Sequence, residues 1–334
     1  ALERVQGQAR IQLEGREAGD MRYELLLPPA GEPIPPDLGL AALPPPSRGD
    51  LYFDMEGDPF AAEDGLDYLF GVMQPDGTWR AEWSTDASGQ FSLDGEKRAF
   101  EAVMDLFTAR LAEDPDAHIY HFAPYEPTAL KRLMGRHATR EDEVDRLLRG
   151  DVLVDLYRIV RQGLRGSVES YGLKSLEPLY GFNRDIALRD ATSSIVVFEQ
   201  WLELAEGERP GADHLERIEA YNHDDVRSNQ HLHRWLEDRR AELTAQTGAE
   251  VPRPIPQPPD PSPELSERQL RVAALAGRLT DGVPEEGRTP DQQARWLLAQ
   301  LLSWQRREDK SFWWLYFHLK DDLTDAERIE ASQP

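Results

Sequence analysis

The chain has 334 residues, 40% of them hydrophobic, with 38 Lys and Arg against 62 Asp and Glu, for a net charge of −24. That length suits one large domain or two smaller ones, and the acidity argues against broad nucleic-acid binding through a basic surface. No apolar run reaches the roughly 18 residues that a spanning helix needs, so no membrane partner and a cytoplasmic location are expected; the lack of cysteine excludes disulfides and thiolate metal sites.

The chain opens on Ala rather than Met and is expected to be a piece of a longer protein. Residues 1–27 alternate in polarity, as in Ala9-Arg10-Ile11-Gln12-Leu13 and Tyr23-Glu24-Leu25-Leu26-Leu27, and read as strands. Residues 28–48 carry Pro28, Pro29, Pro33, Pro35, Pro36, Pro44, Pro45 and Pro46 and read as an extended linker. A compact domain then starts near Gly49. Strands are expected at Leu51–Glu56, Tyr68–Met73, Trp79–Trp83 and Ala117–Phe122, and a helix over Phe91–Leu111. Pro127 suits a first helical position, which makes Glu126 the expected cap. Further helices are expected at Glu141–Leu148, near Asp155, within Ser170–Tyr180, at Ser194–Ala205 and at His214–Leu243. Pro252–Pro263 reads as a second linker, followed by helices around Glu264–Leu279 and Pro290–Leu302. The closing aromatic group of Trp304, Phe312, Trp313, Trp314, Tyr316 and Phe317 is too dense for an exposed tail and is expected to pack on the main domain or on a neighbour.

Chemistry concentrates in the stretch L-Y-F-D-M-E-G-D-P, residues 51–59. Asp54 and Glu56 are two apart on a strand, so they point the same way. Two carboxylates on one buried face repel each other unless a cation sits between them or one is protonated. Hard divalent ions such as Mg²⁺ and Mn²⁺ want this kind of oxygen donor; solvated acids at an ordinary strand end are the plain alternative. Glu126 at a helix mouth sits on the positive helix end. Tyr221 and Asp225 are four apart on a late helix and share one face, while Asp224 lies on another and reads as a solvated acid. His118, His121, His223, His231 and His233 do not form a zinc pattern: His231 and His233 face different ways on a helix. No phosphate-binding G-x-x-x-x-G-K-[ST] loop occurs.

These stretches resemble the DEDD, or DnaQ-like, superfamily of 3′–5′ exonucleases. Its D-x-E motif is matched by Asp54 and Glu56, its second motif by Tyr125-Glu126 with Glu where Asp is usual, and its Y-x-x-x-D motif by Tyr221 and Asp225. G-D-L-Y-F-D-M-E-G-D-P, the Y-E form of the second motif and the C-terminal W-x-R-R-E-x-K-x-x-W-W are most similar to the YprB-type ribonuclease H-like domain of RecB-like nuclease–helicase fusions. The resemblance implies a ribonuclease H-like mixed β-sheet flanked by helices over residues 49–246. A short N-terminal β segment with its linker (1–48) would precede it, and a helical, aromatic-rich extension (247–334) would follow. It implies a metal-dependent 3′–5′ exonuclease acting on single-stranded DNA or RNA ends, with helicase and RecB-like nuclease domains elsewhere in the full protein. Two Mg²⁺ or Mn²⁺ ions would be held by Asp54, Glu56, Glu126 and Asp225. Asp54 would bridge them, Glu126 would serve the second, and Tyr221 would orient the attacking water. The alternatives are an inactive scaffold or nucleic-acid-binding module that couples neighbouring domains, and a structure-selective endonuclease on the same fold.

Overall fold

A computed structural model describes residues 2–28, 32–61, 65–185, 191–203, 213–260, 263–284 and 286–302, together with 304, 320 and 323. They fall into two compact units, residues 2–257 and residues 258–334. Among the described residues no helix is long and apolar enough to cross a membrane.

The first unit is built on β2 (Leu51–Asp58), β3 (Leu66–Met73), β4 (Trp79–Trp83), β5 (Ile119–His121) and β6 (Leu153–Asp155), in the order β4-β3-β2-β5-β6. β2 is the centre of the sheet: it pairs antiparallel with β3 and parallel with β5, and β5 pairs parallel with β6. Alternation along β2 then decides which residues meet which layer. Leu51, Phe53 and Met55 enter an apolar layer with Phe100, Met104 and Phe107 of α2 (Leu93–Glu113), Leu130 and Leu133 of α3 (Tyr125–His137) and Val144 of α4 (Glu141–Arg149). Tyr52 turns the other way, into a layer with Val226, Leu232 and Leu236 of α8 (Asp213–Thr247). Asp54 and Glu56 share that face. This is the expected mixed sheet with helices on both sides.

The sequence reading fails at the N-terminus. Residues Leu2–Ala18 form a helix, α1, and of the expected strands only β1 (Tyr23–Leu25) exists. The alternation of residues 9–13 is outweighed by a run of good helix formers, Leu, Glu, Arg, Gln and Ala, which lose little side-chain freedom in a helix. β1 pairs antiparallel with β7 (Leu164–Gly166), which follows α5 (Leu156–Gly163); Gln8 and Gln12 of α1 donate to the carbonyls of Gly166 and Val168.

The proline-rich stretch is also not a free linker. Gly39–Ala42 form a buried turn of 3-10 helix, and Leu40, Ala41, Ala42 and the following Leu43 join the apolar layer around α8. Arg240 of α8 donates to the carbonyls of Leu40, Val251 and Pro252, and Arg253 donates to those of Leu43 and Pro44 while pairing with Glu237. Proline removes backbone donors but leaves carbonyls, and two guanidiniums collect them here.

In the second unit, α9 (Pro263–Thr280) packs with α10 (Pro290–Leu301). Thr289 and Gln292 form a reciprocal cap at the start of α10, with Pro290 at its first position. Leu297, Leu298 and Leu301 are exposed, and Trp304 is half exposed. Phe312, Trp313, Trp314, Tyr316 and Phe317, expected to pack in a cluster, lie outside the described residues.

Candidate metal centre

Three of the expected acids meet. Each of Asp54, Glu56 and Asp225 offers a carboxylate oxygen, and these oxygens all lie within 4.8 Å of one another. Asp225 is therefore on the face that the four-residue spacing from Tyr221 requires. Each carboxylate also has an oxygen held by a neighbour. Asn222 of α8 donates to Asp54 at 2.6 Å, and Ser194 of α7 (Ala191–Glu203) donates to Glu56 at 2.9 Å. Arg184 donates to Asp225 at 2.5 Å. Position 71 makes room for the first of these contacts. Gly71 pairs with Asp54 across β2 and β3, and a Cβ there would lie 1.8 Å from the Asn222 side-chain oxygen.

Glu126 arrives by a separate route. β5 ends at His121, and Ala123 takes a left-handed backbone, φ 71°, that costs a residue with a side chain of the order of 1 kcal/mol. Asp155, at the end of β6, accepts from the Ala123 amide at 2.9 Å and holds that turn. The helix then starts at Tyr125 behind Pro124, so Glu126 lies in its first turn and is not the cap. Tyr125 donates to Asp67 of β3 at 2.7 Å and Arg132 pairs with the same carboxylate, which clamps this turn to the sheet. Glu126 is thereby brought close enough to Asp54 for its charge to raise that carboxyl. Its Oε2 is buried without a hydrogen-bond partner. His121 Nδ1 lies 3.4 Å from it, but that nitrogen faces the Ala123 carbonyl at 2.9 Å, and a carbonyl only accepts, so the N–H is spent there.

The electrostatics follow from burial. Burial, then the charge of Asp225, Glu126 and Glu56, pushes the Asp54 carboxyl well above the usual carboxylate range. Burial and Asp225 raise Glu56 to about 8. Glu126 is raised by burial against the opposing pull of His121, and Asp225 is raised by burial against Arg184 and Lys174. Burial pulls His121 down, but Glu126 and Asp155 outweigh it and the ring is raised. Two other buried acids of the unit are matched by cations: Glu96 by Arg136 and His137, Asp67 by Arg132. The carboxylates around Asp54 outnumber the cations beside them. That is the condition under which a buried group takes up a proton or a metal ion. All-oxygen donors and the unpartnered Glu126 oxygen fit a hard divalent ion such as Mg²⁺ or Mn²⁺.

Tyr221 is buried beside this group. Lys174 of α6 (Leu173–Tyr180) donates to its hydroxyl at 2.6 Å and sits 4.4 Å from the ring centre. Burial, then the charge of Asp225, raises the phenol, so it stays protonated. Asp224 is not the solvated acid expected: it is 2% exposed, accepts from the Asp185 amide at 2.9 Å and pairs with Arg227 at 3.0 Å. No histidine joins the Asp54–Glu56–Asp225 group among the described residues; His121 lies beside Glu126, and His233 shares a buried hydrogen bond with Tyr52.

All five expected residues therefore gather at one place: Asp54, Glu56 and Asp225 as a tight group, Glu126 against Asp54, and Tyr221 at the edge. The sequence reading missed Lys174, Arg184, Ser194 and Asn222. Of these, only Asn222 and Lys174 carry a signal: Asn222 directly follows Tyr221, and Lys174 lies in the Y-G-L-K-S-L segment between the motifs. A family model described as the RNase H superfamily matches residues 51–237, which is more than half of the chain and spans every one of these residues. No curated protein and no solved structure matches.

Proposed function

Since the chain belongs to the RNase H superfamily, we propose that it is a metal-dependent nuclease that shortens single-stranded DNA or RNA from the 3′ end. The observation that carries this reading is the convergence of Asp54, Glu56 and Asp225, with Glu126 placed against Asp54 and one of its oxygens unpartnered. Two Mg²⁺ or Mn²⁺ ions, when bound, would supply charge stabilisation at the scissile phosphate and an activated water.

The chain's own residues divide that work. Asp54 stands between the Glu56–Asp225 side and the Glu126 side and can serve both. Ser194 and Asn222 hold Glu56 and Asp54 in place. Tyr221 keeps its proton and accepts a hydrogen bond from Lys174, so its own O–H is turned away from the ammonium. That suits a group that orients a water or a phosphate oxygen, whereas a general base would have to give up the proton. By its similarity to nuclease–helicase fusions, we also propose that the chain acts within a larger protein beside helicase and RecB-like nuclease domains.

The test is a 5′-labelled single-stranded oligonucleotide with Mg²⁺ or Mn²⁺. A ladder shortening from the 3′ end is expected, abolished by chelation, with a circular single strand left intact. Cutting of the circle would identify an endonuclease. No cleavage by folded protein that binds no Mn²⁺ would leave the scaffold reading.

A further inference from the structure

Arg184 stands outside every motif of the sequence, yet it closes a ring of contacts behind Asp225. Its Nε lies 2.9 Å from Glu177 Oε1 and 3.1 Å from Oε2, and its Nη2 lies 2.6 Å from Glu177 Oε1 and 2.5 Å from Asp225 Oδ1. Glu177, on α6, also accepts from Ser228 at 3.0 Å, and Ser228 is hydrogen-bonded to Tyr180 at 2.7 Å. Ser228 is on α8, three residues after Asp225. The path from Asp225 through Arg184, Glu177 and Ser228 thus returns to the helix it left. Glu177 and Ser228 are buried, and Arg184 is nearly so.

A free carboxylate turns about its terminal torsion, which is broad and two-fold. One whose Oδ1 is held inside a closed ring cannot, and the direction of Oδ2 is set with it. We infer that Arg184 is a positioning residue for the metal centre: with Glu177 as its anchor, it fixes Asp225 so that the remaining oxygen is preset for the divalent ion. This rests on the metal-centre reading above.

The sign of one measurement separates positioning from proximity. A guanidinium beside a cation site repels the ion, so if charge alone counted, its removal would tighten metal binding. If Arg184 sets the ligand, its removal loosens binding, by about 10- to 100-fold where outer partners of metal ligands are lost. The experiment is calorimetric titration of Mn²⁺ into the full chain, with a melting curve for each protein, for the unaltered chain, Arg184→Met, Arg184→Lys and Glu177→Gln.

Arg184→Met is expected to weaken Mn²⁺ binding about 10- to 100-fold. Glu177→Gln should weaken it in the same direction, because Arg184 loses its anchor, and Arg184→Lys should recover part of the loss. Unchanged or tighter binding in folded Arg184→Met overturns the inference. Should that variant fail to melt cooperatively, Glu177→Gln and Arg184→Lys decide, and unchanged affinity in both overturns it. An unaltered chain that binds no Mn²⁺ removes the metal-centre reading and this inference together; an unaltered chain and an Arg184→Met variant that bind equally well remove the inference alone.

Discussion

The Lys174 ammonium lies 2.6 Å from the Tyr221 hydroxyl and 4.4 Å from the centre of the same ring, so one cation fixes both the oxygen and the plane of the phenol. A charged donor to a neutral oxygen is worth more than an ordinary hydrogen bond, and the ring face adds a cation–π contact. Tyr221→Phe removes the oxygen that Lys174 holds and leaves the carboxylates alone. Its cleavage rate is expected to fall about 100-fold, the scale of a misplaced reacting group, with Mn²⁺ affinity unchanged. Lys174→Met should fall in the same direction, and the double variant should be no slower than the worse single one, because the two residues act as a unit. Additive losses, or a large loss of Mn²⁺ binding in Tyr221→Phe, would show that the phenol acts elsewhere.

Asp225 and Asp224 are adjacent in sequence and are expected to fail differently. Asp225→Asn removes a charged ligand and should abolish both Mn²⁺ binding and cleavage. Asp224→Asn should keep most metal binding but unfold more easily, by about 1–3 kcal/mol, because the buried acceptor for the Asp185 amide and Arg227 is weakened. Denaturant melts and Mn²⁺ titrations of the two variants separate these outcomes. A dead, metal-free Asp224→Asn beside a normal Asp225→Asn would reverse the assignment.

Glu126 has a narrower expected role. One of its oxygens is buried without a hydrogen-bond partner, and its charge acts on Asp54. Glu126→Gln should therefore lower Mn²⁺ stoichiometry from two ions to one, leave the tighter ion in place and remove most cleavage. Calorimetry or paramagnetic resonance counts the ions; two ions retained in Glu126→Gln would exclude it as a ligand.

The dependence on pH has a definite sign. Glu56 is raised by burial and Asp225 from an ordinary 4.5 to about 8, so between these values the metal-free folded chain holds a proton that the unfolded chain has released. Stability from this group is complete below about pH 4.5 and is lost as pH climbs through about 8. A divalent ion binds the ionised form and compensates the loss. The melting temperature of metal-free protein should fall across this window, and the shift produced by Mn²⁺ should grow across it. Asp50, raised to about 6 by burial, adds to the fall but lies outside the centre and cannot change the Mn²⁺ shift. A Mn²⁺ shift that is flat across the window would mean that the ion binds somewhere else.

The sequence was most readable where spacing and geometry coincide. Two residues apart on a strand and four apart on a helix are rigid statements, and Asp54, Glu56, Tyr221 and Asp225 obey them. Apart from α1, the long helices and β2, β3 and β4 lie close to their expected bounds. What was not readable depends on partners far along the chain. Arg184 and Ser194 gain meaning only from the carboxylates they touch, and no spacing rule links them. β6 and β7 are three residues each and sit beside α5 in one apolar run, too short to show a period of two. The Leu38-Gly39-Leu40-Ala41-Ala42-Leu43 run was an apolar signal among prolines, and the prolines drew the reading toward a linker.

The separation of the three clustered carboxylates along the chain has a consequence during synthesis. Asp54 and Glu56 leave the ribosome with β2, whereas Asp225 waits for α8, more than 150 residues later. A growing chain that has not yet extruded α8 holds two of the three carboxylates and lacks both Asn222 and Tyr221. On the proposed reading such a chain has no cutting centre until α8 has left the ribosome and folded onto β2.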